Sequence, residues 1–219
     1  MTVAGWRLRT MVIMTVLVAV PASAAGLRNW VVEAESPGAR ATERGGVIDI
    51  DTPKGLTLWS RKPVHTPVVI AFEGMGISNG GGNDRVSDLN AFWMARNADG
   101  SSVLTQRRSG AFADYDDLRT YYVGIGGNGN TTTRFRRYIG KPGDRPLLPE
   151  HDKRGTADLL RPNRWTKVRL IADGRTVAVE RDGVRVFTFT DPDPYTRGHW
   201  GLRTTWSHLR IRRVTVTRR

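Results

Sequence analysis

The chain has no cysteine, which removes disulfides, thiolate catalysis and zinc–cysteine sites together. Histidine is nearly as scarce. His65, His151, His199 and His208 are the only four, and none is paired at helical metal-ligand spacing, so a metal centre is not expected. Past the N-terminal segment, glutamate is confined to positions 33, 35, 43, 73, 150 and 180. Helical periodicity is missing as well. No stretch beyond the N-terminus sustains a 3.6-residue apolar repeat for more than about three turns.

The one long apolar run is Met11–Val20. It follows a segment carrying Arg7 and Arg9 and no acid, and it leads into Pro21 and Ala22-Ser23-Ala24. A basic start, a short apolar core and an A-x-A site describe a Sec signal peptide. Ten residues of helix cover roughly 15 Å against a bilayer core of about 30 Å, too short for a span. The expectation is a leader over residues 1–24, one domain over residues 25–219, and a secreted or periplasmic monomer.

What is abundant is short runs of β-branched and aromatic residues between Gly, Pro, Asn and Asp clusters. Strands are expected over 29–35, 46–50, 55–60, 66–75, 88–95, 118–126, 131–138, 164–173, 175–181, 184–190 and 209–217. Asp173-Gly174 and Asp182-Gly183 are two-residue hairpin signals. Many short strands without helices predict an all-β fold, a two-sheet antiparallel β-sandwich or jelly roll.

The formal net charge is +13, which favours polyanionic partners. Nucleic acid is not expected for an exported chain without a recognisable binding motif. An acidic polysaccharide fits better. Gly80 to Asp152 interleaves four tyrosines and five asparagines with arginines and His151, between glycine turns. Planar hydrogen-bonding groups mixed with rings suit a sugar-holding surface.

The closing order KVRLIAD, DG, TVAVERDG, VRVFTFTDPDPY and GHWGLRTTWSHLRIRRVTVT resembles the last strands of concanavalin A-like jelly rolls. The blocks NDRVSDLNAFWMA, LRTYYVGIGGNGNTTTRFRRY and RPLLPEHD resemble a family of exported bacterial proteins whose domain has no assigned function. That family tends to occur with enzymes degrading pectin-type and rhamnose–uronate polysaccharides. The resemblance runs over about residues 28 to 217 and implies a jelly-roll protein of carbohydrate breakdown. It supplies no catalytic residues, so the roles that follow rest on chemistry.

β-Elimination on a uronate must neutralise the carboxylate, remove the C5 proton and protonate the leaving oxygen. Arginine beside asparagine suits the first task, and tyrosine or histidine suits the proton transfers. Alternation puts Arg119 with Tyr121 on one strand face, and Arg134 with Arg136 and Tyr138 on another. The expected catalytic set is Tyr121, His151, Arg119 and Arg136. The expected substrate-binding set is Asp88, Asn90, Asn128, Asn130, Arg134 and Tyr138. A polysaccharide lyase is the favoured reading; a non-catalytic carbohydrate-binding module or lectin, and a glycoside hydrolase, are the alternatives. Hydrolysis needs two carboxylates across the bond, and the E-x-D-x-x-E strand motif common in jelly-roll glycosidases is absent. For a binding module, Trp59, Trp93, Trp200 and Trp206 are the stacking candidates. No cofactor is expected beyond a structural calcium at Asp191 and Asp193, or at Asp114, Asp116 and Asp117; Asp-Pro pairs are more ordinarily turn formers.

Overall fold

The computed structural model describes residues 23–218. The expected leader lies outside them, apart from Ser23 and Ala24, which open the first strand. In chain order the strands are β1 (Ser23–Ala25), β2 (Trp30–Ala34), β3 (Arg40–Arg44), β4 (Val47–Ser60), β5 (Val64–His65), β6 (Val68–Gly76) and β7 (Leu89–Asn97). There follow β8 (Leu118–Gly126), β9 (Thr132–Ile139), β10 (Asp152–Lys153), β11 (Thr166–Asp173), β12 (Thr176–Arg181), β13 (Val184–Thr190) and β14 (Arg197–Arg218). Helical structure is limited to single turns, and no helix among the described residues is long and apolar enough to cross a membrane.

Two long bent strands build the sandwich. The first half of β14 pairs with β7 on one side and with Gly55–Trp59 of β4 on the other. Its second half pairs with β6 and with Val47–Thr52 of β4. Both strands therefore pass from one layer to the other. The bend on β14 is a β-bulge at Trp206, whose φ of 42° lies in the left-handed region. A bulge leaves one residue unpaired and sharpens the local twist. The front sheet runs β10-β9-β8-β7-β14-β4-β2, and the back sheet runs β13-β12-β11-β6-β14-β4-β3-β1. Nearly all ladders are antiparallel; β1 and β3 pair in parallel. This is the expected two-sheet jelly roll.

Between the layers lies the main core. Trp93, Tyr121, Val123 and Phe135 of the front sheet meet Ile70, Leu170, Val179 and Phe187 of the back. A second apolar cluster sits on the opposite face of the front sheet, where Trp59, Phe92, Tyr122 and Tyr138 are covered by Val103 and Tyr115 from the segment between β7 and β8. That cover is fastened by buried Glu33, which accepts from Trp59 Nε1, Tyr115 Oη and Arg108 N, each at 2.9 Å.

The strand expectations hold for most of the longer elements; the short strands β1, β5 and β10 were not expected, and three longer strands differ. The runs 46–50 and 55–60 are one strand bent at Pro53-Lys54. β14 begins at Arg197, well before 209, because Gly198 and Gly201 mask a strand pattern that tolerates no side chain: a Cβ at Gly201 would stand 2.7 Å from the Trp59 ring. β3, with the polar sequence RATER, carries no alternation that sequence alone could display. Among the hairpins, Asp182-Gly183 forms the β12–β13 turn with both φ values positive, whereas the β11–β12 turn is Gly174-Arg175, one residue beyond the expected pair.

Candidate functional site

Register aligns two rows of side chains across the outer face of the front sheet. One row is polar: Glu33, Thr57, Arg203, Asn90, Gly124, Arg134 and Asp152 are successive partners from β2 to β10. The neighbouring row is largely aromatic: Val31, Trp59, Gly201, Phe92, Tyr122 and Arg136. Directly opposed residues in antiparallel strands hold their Cβ atoms about 5 Å apart, so each row behaves as a continuous strip. Gly124 breaks the polar strip in its middle.

Over that break opens a cleft of about 480 Å³. Its floor is Asn90, Tyr122 and Gly124, and its walls include Asp88, Asn128, Arg134, Arg136, Arg145, Arg203 and Phe112. Trp206 stands at its edge, 50% exposed, with the Arg85 guanidinium 4.3 Å from its ring centroid. Strained backbone concentrates here, since Asp88, Asn128 and Trp206 all have positive φ. Such conformations persist only where the surroundings enforce them, and they cluster at functional sites.

The cleft is electropositive. Arg134 is already paired, with Nε and Nη2 on the two oxygens of Asp152 at 2.8 and 3.1 Å. Arg145 lies 3.4 Å from Asp116. Among the described residues Arg85, Arg136 and Arg203 form no ion pair. Arg136 donates to the Arg145 carbonyl, and Arg203 donates to Thr57 Oγ1 at 3.0 Å and to the Gly110 carbonyl at 2.7 Å. Asp88 is the one acidic side chain in the lining. Burial holds its carboxyl above the ordinary range, against bonds from Ser87 and Asn90 and the charges of Arg203 and Arg85. Burial, with Tyr138 and Asp88 nearby, keeps Tyr122 protonated far above neutrality.

Five expected site residues are brought together: Asp88, Asn90, Asn128, Arg134 and Arg136 all line the cleft. The others lie elsewhere. Tyr138 is buried behind the aromatic strip, 5.7 Å from Tyr122, and burial pushes its hydroxyl up to about 12. Asn130 fastens a loop through both amide atoms, to Leu160 N at 2.9 Å and Leu160 O at 3.0 Å. Tyr121 corrects the expectation of a groove-facing tyrosine. It points into the core, donating to Asp191 at 2.6 Å and accepting from Tyr195 N at 3.0 Å. Arg119 follows the same face outward to Asp193 at 3.4 Å, away from the cleft. His151 is not at the rim either. It is buried edge-on to Phe135 at 4.9 Å and Phe187 at 5.7 Å, with Nε2 3.3 Å from the Thr188 carbonyl.

Of the four tryptophans considered for stacking, Trp59, Trp93 and Trp200 are buried and Trp206 is exposed. The calcium expectation meets occupied ligands. Asp191 is held by Tyr121 and by Arg137 at 2.7 Å, and Asp114 by Ser109 at 2.6 Å. Among the described residues no group of three or more His, Asp or Glu side chains is placed to hold a metal ion. Sequence reasoning missed Tyr122, Gly124, Arg85 and Arg203. For Tyr122 a signal existed, because Tyr121, Val123 and Ile125 form the apolar alternation of a core face, which leaves Tyr122 and Gly124 outward.

A larger hollow of about 720 Å³ opens between Trp30, Val64, Trp200 and Arg213. None of its lining side chains has a buried polar atom without a partner, whereas the smaller cleft is lined by two that do, Asn90 and Arg203. Convergent polar groups, more than size, mark a ligand site.

The fold and cleft define a jelly-roll protein with a polar, aromatic-edged site on the outer face of one sheet. The chain belongs to the family described as Domain of unknown function (DUF6250), which matches residues 50–214. No curated protein matches the sequence. Among solved structures, a Bacillus subtilis protein of unknown function with a galectin-like fold is similar at 16% identity and a TM-score of 0.65, covering 88% of this chain and 92% of that one. The carbohydrate-binding module CBM66 from Bacillus subtilis is similar at 10% identity and 0.58, over 88% and 97%. The exoplasmic/lumenal domain of VIP36, in a Ca2+- and mannose-bound form, is similar at 10% identity and 0.51, over 87% and 90%. At these identities the likeness is one of fold.

Proposed function

We propose that the protein binds an acidic, uronate-containing glycan in the cleft on its front sheet, outside the cytoplasm. One observation carries this reading: exposed Trp206 flanks a cleft in which Arg85, Arg136 and Arg203 have no acidic partner among the described residues. A flat ring offers a stacking surface for a sugar, and the Arg85 and Arg136 guanidiniums offer donors for its carboxylate, while buried Arg203, bonded to Thr57, Gly110 and Thr205, adds positive charge beneath them. The presence of a carbohydrate-binding module and a lumenal mannose-bound domain among proteins of this fold supports the same reading and the extracytoplasmic location. So does the expected leader. Pectin-type and rhamnose–uronate polymers are the first candidates, in keeping with the family resemblance of the sequence blocks.

Binding is preferred to cleavage because the expected proton carriers, Tyr121 and His151, are both in the core. Elimination is the second reading, and it rests on a different pair. Asp88, with its raised carboxyl, would take the C5 proton, and protonated Tyr122 would donate to the leaving oxygen. Hydrolysis is less well served, since Asp88 stands without a second carboxylate in the lining.

The test is titration calorimetry of the purified protein against polygalacturonate, rhamnogalacturonan, alginate and hyaluronan, with absorbance near 235 nm followed in parallel. Saturable binding without rising absorbance supports the binding reading. Rising absorbance establishes the lyase. Absence of both, with all four polymers, removes the acidic-glycan reading.

A further inference from the structure

The floor of the cleft carries an unusual arrangement of polar atoms. Asn90 is only 3% exposed, yet its Oδ1 has no hydrogen-bond partner. Its orientation is fixed, because Nδ2 donates to Asp88 Oδ1 at 3.2 Å and so leaves the oxygen facing the other way. On the opposing residue of β14, Arg203 is 1% exposed and its Nε is likewise without a partner. A buried polar atom left unpaired is costly in a folded protein and calls for an explanation. Here two such atoms occur on facing residues, and both residues line the cleft.

Next to Asn90 on β8 is Gly124. A Cβ built on it would stand 2.8 Å from Tyr122 Oη and 3.1 Å from Asn90 Oδ1. The missing side chain therefore leaves a notch bounded by a phenol hydroxyl and an amide oxygen. Gly124 has no positive φ to account for it. A glycine inside a strand weakens it, and such a residue often marks a place where a ligand comes close to the backbone.

We propose that this notch is a subsite for one sugar hydroxyl, which accepts from Tyr122 Oη and donates to Asn90 Oδ1. A carboxylate does not fit the same point, because an ionised carboxyl has no proton to give Asn90 Oδ1. The glycan's charge is therefore met at the walls, by Arg136, and its identity is read at the floor through a hydroxyl. This assignment rests on the glycan-binding reading and deepens it.

The experiment uses whichever of polygalacturonate, alginate and hyaluronan binds the wild type most tightly, together with the methyl ester of the same polymer. The ester keeps every ring hydroxyl and loses the charge. Gly124→Ala fills the notch and is expected to weaken both ligands by the same factor, about ten- to hundredfold for one or two buried hydrogen bonds. Arg136→Met is expected to weaken the acid and leave the ester unchanged. Melting temperatures of both variants establish that they fold. If Gly124→Ala weakens the acid and spares the ester, the floor reads the carboxylate and the proposal is overturned. Should it weaken neither while Trp206→Ala weakens both, the notch is idle, the proposal is overturned, and the cleft still binds glycan. A wild type that binds neither these three polymers nor rhamnogalacturonan removes the acidic-glycan reading and this subsite with it.

Discussion

Arg134 and Asp152 oppose each other on β9 and β10, and the guanidinium meets both carboxylate oxygens, Nε at 2.8 Å and Nη2 at 3.1 Å. Arg154 adds a bond to the same carboxylate at 2.9 Å. A bidentate pair of this kind is directional and strong. Its consequence for the cleft is that Arg134 shapes a wall without lending its charge. The task of meeting an anion passes to arginines that no acid holds.

The same pair gives a stability prediction. The Arg134 bond, with help from Arg154, holds Asp152 at about 2, below its ordinary 3.8. A carboxyl whose folded value is depressed stabilises the fold above its unfolded value, and that contribution is lost as pH falls through the folded one. Asp152→Asn is expected to lower stability by at most about 2 kcal/mol near neutrality, less after solvent screening. Thermal melts of both proteins from pH 6 to pH 2 should converge at the acid end. A gap that stays constant over that range would show that ionisation of Asp152 contributes nothing.

Trp206 joins an unfavourable backbone to an exposed ring. A left-handed φ costs a non-glycine residue roughly 1–2 kcal/mol, and here the residue is tryptophan at 42° and half in solvent. The Arg85 guanidinium covers one side of the ring at 4.3 Å, and the proposed stacking on a sugar gives the exposed ring its use. Trp206→Gly is expected to leave the melting temperature unchanged or raise it by a few degrees. Affinity for the bound polymer should fall at least about tenfold, the scale of one aromatic contact. A variant that loses stability and keeps affinity would assign the ring to the fold.

Most of the architecture was legible because the back sheet and the hairpins announce themselves. TVAVERDG followed by VRVFTFT alternates cleanly around a turn that needs two residues of positive φ. The front sheet was harder, since both of its faces are buried and aromatic, the inner by the core and the outer by the cover from residues 103–115. Along β8 the outward positions are Thr120, Tyr122 and Gly124, with no charged side chain among them, so Tyr121 and Tyr122 look alike in sequence, and choosing the wrong one puts the whole strand backwards. Asn90 was legible as a site residue, but its meeting with Arg203 was out of reach for a different reason. Their meeting depends on β14 crossing between β7 and β4, a long-range pairing that local pattern does not encode.

Two conservative changes separate the tyrosines. Tyr121→Phe leaves buried Asp191 and the Tyr195 amide each short of a partner, so about 2 kcal/mol of stability should go, with affinity intact. For Tyr122→Phe the order reverses, with little change in melting temperature and a clear loss of affinity. Denaturant unfolding and calorimetry on the pair decide the matter. Equal effects on affinity would mean that position on the strand does not govern binding.

Asp88 sets the sign of the pH response. Its carboxyl is raised by burial, while Ser87, Asn90, Arg203 and Arg85 pull it the other way without winning. In the interval between its ordinary and its raised value, the folded protein holds a proton that the unfolded chain has released. Stability therefore declines as pH rises through that interval. Binding of a polyuronate should follow the same direction. Protonating Asp88 removes the only negative charge in the lining and leaves Arg85, Arg136 and Arg203 unopposed, while a sugar carboxyl, with a value of about 3.5, is still ionised. Affinity is expected to strengthen as pH is lowered from above the raised Asp88 value through it, and Asp88→Asn should bind at high pH as the wild type binds in acid, with a flat profile. Calorimetry across that range at fixed ionic strength reads both proteins. If the Asn variant keeps the wild-type slope, the titrating group lies elsewhere and Asp88 has no electrostatic part in binding.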